Sequence, residues 1–191
     1  MATKKGKPRR KPAARARRDG NDAIALLKAD HRQVESWFEQ FEKSRSDERK
    51  LELATRICNA LTVHTTIEEE IFYPAFIAAT KDEDLHHEAI IEHDSAKKLI
   101  ADIEASEPAD DYYDAKVKVL SEMIKHHVKE EEQPGGMFAE ARRSRMDLHA
   151  LGEQMATRKG ELEAQQAGLS AGLRKGANGG LLNRIVEAGS R

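Results

Sequence analysis

The strongest constraint on this chain is a histidine and a glutamate set four residues apart, twice, inside apolar helical patterns: His64-Thr-Thr-Ile-Glu68 and His127-Val-Lys-Glu-Glu131. On an α-helix, positions i and i+4 lie on one face, about 6 Å apart. An imidazole and a carboxylate so placed can reach one metal ion, or bind one ion and bridge to a second. Carboxylates are almost never fully buried unless paired or bound to a cation. Two such pairs on two helices form the skeleton of a carboxylate-rich metal site in a helix bundle.

The rest of the chain supplies the bundle. A first helix begins at Asn21 or Asp22, either of which can cap it. Its apolar stripe is Ile24, Leu27, His31, Val34, Phe38 and Phe41, with the 3-4 spacing of a packed seam. After the link 44–47, a second helix carries Ala54, Ile57, Leu61, His64, Glu68 and Ile71. Glu69 and Glu70 fall off this stripe and read as solvated, and Pro74 is expected to bend or end the helix within a turn. A third helix follows Lys81-Asp82 with the stripe His86, Ala89, His93, Ala96, Ile100 and Ile103. Beyond a loop at 107–111, a fourth carries Tyr113, Val117, Leu120, Ile124, His127 and Glu131 and stops at Pro134-Gly-Gly136.

The two halves repeat each other. Each contributes a lone seam histidine, His31 or His93, and then a His-x-x-x-Glu pair on the next helix. Along each hairpin the lone histidine sits several residues nearer the turn than its partner pair, an offset of roughly 6–12 Å at 1.5 Å per residue. His86 lies seven residues before His93, too far to share the site, and reads as a helix-start or surface residue. His87, His126 and His149 fall off the stripes and read as solvated. Cys58, Trp37 and Phe72 read as packing residues; Tyr73 is a candidate neighbour of the site, although its spacing from Glu68 is not that of a same-face residue.

Composition fits long amphipathic helices: 35% charged residues and only 5% aromatic. Charge is unevenly spread. Residues 1–18 hold nine Lys or Arg and no acid, which leaves 34 acids against 23 bases in the remainder. Residues 1–20 cannot bury enough apolar surface to offset their ordering entropy and are expected to be a disordered basic tail. Such a tail solubilises, and it can contact nucleic acid non-specifically. The expected layout is this tail, a bundle over 21–140, an additional helix over 141–164 within an amphipathic pattern from about Met137 to Leu162, and a loose C-terminal tail over 165–191 with one short helix. A single cysteine permits no intramolecular disulfide. No apolar run approaches the ~20 residues of a membrane span, and with no secretory signal pattern the expected location is the cytoplasm.

Four imidazoles and two carboxylates without a thiolate exclude an iron–sulfur cluster and suit Fe, Mn or Zn. Two carboxylates on facing helices can bridge ions about 3.5–4 Å apart. A redox-active pair with open positions in an apolar bundle suits O2, peroxide or NO. The pattern His31 … His64-x-x-x-Glu68-Glu69 … Tyr73-Pro74 … His93 … His127-Val-x-x-Glu131-Glu132 … Phe138 resembles the hemerythrin-like, or HHE cation-binding, family over roughly residues 22–140. The resemblance implies an all-α fold, an up-and-down four-helix bundle, here with an extra C-terminal helix and flexible tails. It further implies two non-haem iron ions, in preference to Mn or Zn. Their ligands would be His31, His64, Glu68, His93, His127 and Glu131, with Glu68 and Glu131 bridging. Oxygen-carrying hemerythrins have a further histidine four residues before the one matching His93; Ala89 stands there in this chain. That difference argues for sensing, redox response or iron handling with a diatomic ligand or peroxide rather than O2 transport. A di-iron oxidase or peroxide-decomposing enzyme is the first alternative, and a polyanion-binding protein acting through residues 1–18 is the second.

Overall fold

The computed structural model describes residues 22–188, with side chains through residue 169. The expected tail over 1–20 lies outside the described residues, as do residues 189–191. Helix α1 spans Ala23–Lys43, and the Asp22 carboxylate caps it by accepting the Ala25 N–H at 2.8 Å. Helix α2 spans Asp47–Ile67 and starts at Ser46, whose hydroxyl faces the Arg49 N–H. A π-helical turn, Glu68–Phe72, joins it to α3, Tyr73–Thr80. Helices α4, Glu83–Glu104, and α5, Tyr113–Glu132, form the second hairpin. Each hairpin packs within itself, α1 also meets α5, and α2 meets α4. The result is an all-helical up-and-down bundle, with no strand among the described residues.

Pro74 neither ends nor sharply breaks the second helix. Proline has no N–H to offer the carbonyl four residues back. The π turn absorbs this misfit: the Tyr73 N–H donates five residues back, to the Glu68 carbonyl. The extra residue rotates the helix, so Phe72 is fully buried where the stripe expected Ile71, which is only partly covered.

The amphipathic pattern expected as one helix over Met137–Leu162 is two helices, α6, Met137–Arg143, and α7, Leu148–Ala188. Two side chains make the break. The Ser144 hydroxyl donates to the Ala141 carbonyl at 2.7 Å, and the Asp147 carboxylate accepts the Ala150 N–H at 3.1 Å. Short polar side chains that bond their own backbone compete with helix continuation in this way. Helix α7 also runs through the stretch expected to be loose from residue 165. Gly168 costs roughly 1 kcal/mol there, but strong helix formers precede it and Gln166 docks by donating to the Asn59 carbonyl at 3.2 Å. Helix α7 packs on α1, α2 and the π turn.

The core is in two parts. One, including Val34, Phe38, Ile57, Leu61, Ala96, Ile100, Val117 and Leu120, fills the end near the two hairpin turns. The other, including Ile24, Leu27, Ile67, Phe72, Tyr73, Phe76, Met137, Phe138 and Met155, fills the opposite end and is closed by α6 and α7. Between them lies a buried polar layer: His31, His64, Glu68, His93, His127 and Glu131.

Candidate metal centre

The six side chains expected from the seams converge. Nε2 of His31 lies 3.1 Å from Nε2 of His64, and Nε2 of His93 lies 3.2 Å from that of His127. Helical geometry closes the offset between the hairpin partners. Side chains lean toward the N-terminus of their own helix. His31 and His93 therefore lean away from their turns, while His64 and His127 lean toward theirs, and the rings meet.

Both carboxylates touch both halves. A Glu68 oxygen lies 3.2 Å from His64 Nε2 and 3.4 Å from His93 Nε2. Glu131 approaches His31 Nε2 at 3.3 Å with one oxygen and His127 Nε2 at 3.7 Å with the other. None of these approaches has hydrogen-bond geometry: all four carboxylate oxygens are buried without a donor. The donors fall into two groups that could each hold an ion, His31–His64–Glu68–Glu131 and Glu68–His93–His127, with Glu68 common to both.

Behind each imidazole stands a second carboxylate that the stripes did not mark. His31 Nδ1–H donates to Glu132 at 2.9 Å, His93 Nδ1–H to Glu69 at 2.9 Å, and His127 Nδ1–H to Glu92 at 2.7 Å. Nδ1 of His64 faces Asp30 at 3.6 Å, beyond a hydrogen bond. A proton committed to Nδ1 leaves the Nε2 lone pair aimed inward, the tautomer a metal ligand requires. Glu69, expected to be solvated, is thus part of the site and is also held by Lys97. The pattern is visible in the sequence once known: an acid directly precedes each lone histidine, and an acid directly follows each seam glutamate.

Tyr73 also belongs to the site. Its hydroxyl lies 3.2 Å from His93 Nε2. In an unbroken α-helix it would stand off the Glu68 face; the π turn, with its five-residue repeat, brings it round. Pro74 inside an otherwise continuous helix was the signal for that turn. His86 stays outside the site, its ring edge-on to Tyr73 at 5.7 Å. Phe138 stacks on His31 with centroids 5.9 Å apart.

In the chain alone the rings and carboxylates of this layer shift one another's protonation. Burial pushes the Glu68 carboxyl up, but the rings of His64, His93 and His127 outweigh it and hold the group well below the usual carboxylate range. Burial depresses His127, yet Glu131, Glu92 and Glu68 raise it to about 9. His31 is raised in the same way against burial by Glu131, Glu68 and Glu132. Burial, reinforced by Glu68 and Glu131, pushes the Tyr73 phenol well above its ordinary value. Burial holds Cys58, which touches none of this, up at about 12.

A cavity of about 20 Å³ lies against the four histidines, walled by Val34, Leu61, Thr65, Ile124 and Val128. About 10–15 Å³ of such volume accommodates one water-sized molecule.

The family described as Hemerythrin HHE cation binding domain matches residues 22–134. The crystal structure of a Hemerythrin HHE cation binding domain-containing protein from Mycobacterium kansasii matches with a TM-score of 0.62 at 25% identity, covering 75% of this chain and 88% of that one. A DNA nickase from a Nostoc species is 27% identical over 107 residues, 56% of this chain. The match spans only 30% of the nickase's length.

Proposed function

The chain belongs to the hemerythrin HHE cation-binding domain family, and on that premise we propose that it holds two non-haem iron ions and uses them to bind a small oxidant, O2, NO or peroxide, for sensing, redox response or iron handling. The observation that carries this reading is the donor set itself: four inward Nε2 atoms around four buried carboxylate oxygens that no protein group satisfies. Leaving a buried acceptor unsatisfied costs about 1–3 kcal/mol, more for a charged one. Cations balance the layer where hydrogen bonds do not.

His31, His64, His93 and His127 would be the nitrogen ligands, and Glu68 and Glu131 the bridging carboxylates. The mixed nitrogen and oxygen set suits iron over softer metals. When bound, a redox-active pair supplies reversible electron transfer to a small oxygen or nitrogen species. The protein's own contribution is positional. Glu132, Glu69 and Glu92 hold three rings by Nδ1. The apolar walls limit access to a molecule of a few atoms. The Tyr73 hydroxyl, kept protonated by burial, can donate a hydrogen bond within the site.

The test is metal content and visible absorption of air-purified protein, beside a His64→Ala/His127→Ala variant. The expected result is about two irons per chain with ferric charge-transfer absorption, both lost in the variant. A folded protein that neither contains iron nor takes up Fe(II) overturns the reading. Peroxide consumption abolished by Glu68→Ala or Glu131→Ala would move the assignment from binding to enzymatic turnover.

A second reading rests on residues 1–18, with nine basic residues and no acid. They suit electrostatic, salt-dependent contact with nucleic acid, and the similarity to a nickase is compatible with it. Unchanged DNA affinity after deleting 1–18 would refute it.

A further inference from the structure

We propose that Glu92, His126 and Glu130 form a third cation site, open to solvent, on the outer face of the second hairpin. The stretch His126-His127-Val-Lys-Glu130-Glu131 holds two interleaved His-x-x-x-Glu pairs. His127 and Glu131 face inward and are buried, whereas the His126 side chain is 61% exposed and Glu130 25%. The outer pair has the same i, i+4 geometry as the inner one, displaced by one residue and so by about 100° round the helix.

The third donor comes from the neighbouring helix. One Glu92 oxygen accepts the His127 Nδ1–H at 2.7 Å, which fixes the carboxylate; the other faces His126 Nε2 at 3.5 Å. A Glu130 oxygen faces the same Nε2 at 3.2 Å. Nε2 has a single bonding direction and can bond only one of the two acids. A divalent cation among the three satisfies all of them. Donors held about 2.0–2.2 Å from an ion stand roughly 3–3.5 Å from one another round its shell, close to the separations found. The three ligand atoms all lie within 4.8 Å of each other.

The first hairpin cannot make an equivalent site. Its corresponding positions are Val63 and Ile67, both buried. Helix α7 packs along α2, and the Lys159 end of α7 lines the same groove as Val63. The side left uncovered by α7 is the side on which the sequence places the outward pair. One imidazole and two carboxylates favour a divalent ion of intermediate hardness such as Co(II), Zn(II), Mn(II) or Fe(II), with water completing its shell. The site shares Glu92 with the buried layer, through the His127 Nδ1–H bond, while His126 and Glu130 belong to it alone.

The test is equilibrium dialysis of the full chain, as purified, against Co(II), with cobalt and iron per chain measured in wild type, His126→Ala and Glu130→Gln. His126 is exposed and Glu130 half-buried, and neither packs in the core, so all three proteins are expected to melt together. The expected result is one cobalt per chain more in wild type than in either variant, with iron unchanged. Broadening by Mn(II) of the His126 ring signals, without loss of the fold, is the expected companion by NMR. Equal cobalt in wild type and both variants overturns the proposal and leaves His126 as an ion-pair partner only. Loss of the buried ions in both variants also overturns it, because the change then reflects disruption of α5.

Discussion

Removing the ions should destabilise the bundle by an amount the polar layer sets. Four carboxylate oxygens are buried without donors in the chain alone. At the low end of about 1 kcal/mol for each unsatisfied buried acceptor, the loss is about 4 kcal/mol. The low end is appropriate because His31 and His127, raised by the surrounding acids, take up part of the missing positive charge as protons. For a chain of this size about 1 kcal/mol moves Tm by roughly 2–4 °C. Chelation should therefore lower Tm by about 8–16 °C, read by circular dichroism at 222 nm. The gap should also depend on pH. His127 is raised to about 9 in the folded metal-free chain, against about 6.5 unfolded. Its contribution to metal-free stability is full below about 6.5 and is lost as pH rises through about 9. Ion binding needs the neutral ring and strengthens over the same range, so the gap should widen from pH 6.5 to 9. Loaded and chelated proteins that melt within about 2 °C of each other at pH 7 would refute the argument. In that case the histidines and glutamates satisfy one another, and the layer is simply a polar core.

Three further changes test the supporting structure. Glu132→Gln removes the charged acceptor of His31 Nδ1–H and should weaken metal binding about 10–100-fold in competition with a chromophoric chelator, with the fold retained. Tyr73→Phe deletes the 3.2 Å contact to His93; metal per chain should stay the same while the chelated protein loses about 1 kcal/mol by urea denaturation. Gly136→Ala should be the most damaging. A Cβ there falls inside the Glu130 carbonyl and 3.0 Å from that of Glu131, both backbone atoms at the end of α5. A cost of about 3 kcal/mol, the upper part of the overpacking range, should appear as a fall in Tm of roughly 6–12 °C.

The inward-facing residues were legible because a bundle seam is periodic and a polar residue in it is conspicuous. His31, His64, Glu68, His93, His127 and Glu131 all stand on 3-4 spacing, and all six are buried. What the period could not carry was lost. The π turn changes the repeat at Glu68, so a 3-4 count puts Ile71 in the seam where Phe72 lies and leaves Tyr73 off the Glu68 face. The carboxylates behind the rings sit one residue from an inward-facing histidine or glutamate and therefore on the flank of the stripe, where a solvated acid and a hydrogen-bonded one look alike. Whether Glu69 reaches His93 depends on where α2 lies against α4, a tertiary fact. The division between α6 and α7 rests on Ser144 and Asp147, whose capping bonds a count of apolar residues does not register.

The repeat is exact in its inner residues and inexact around them. The Asp30 carboxylate behind His64 stands at 3.6 Å and is drawn to Lys159 of α7. Burial pushes that carboxyl up, but His64 and Lys159 hold it below its ordinary range. The Glu92 carboxylate behind His127 stands at 2.7 Å, on the side that α7 leaves open. A ring that donates strongly to a carboxylate is a more basic ligand at its other nitrogen. With a metal bound, His127 would be the more strongly supported ligand, and His64, whose acid is shared with a lysine, the less supported one. Helix α7 thus does more than close the apolar end of the bundle. Through Lys159 and Asp30 it makes the two halves of a duplicated site chemically unequal. Two ions held there would differ in environment even though the residues facing them match.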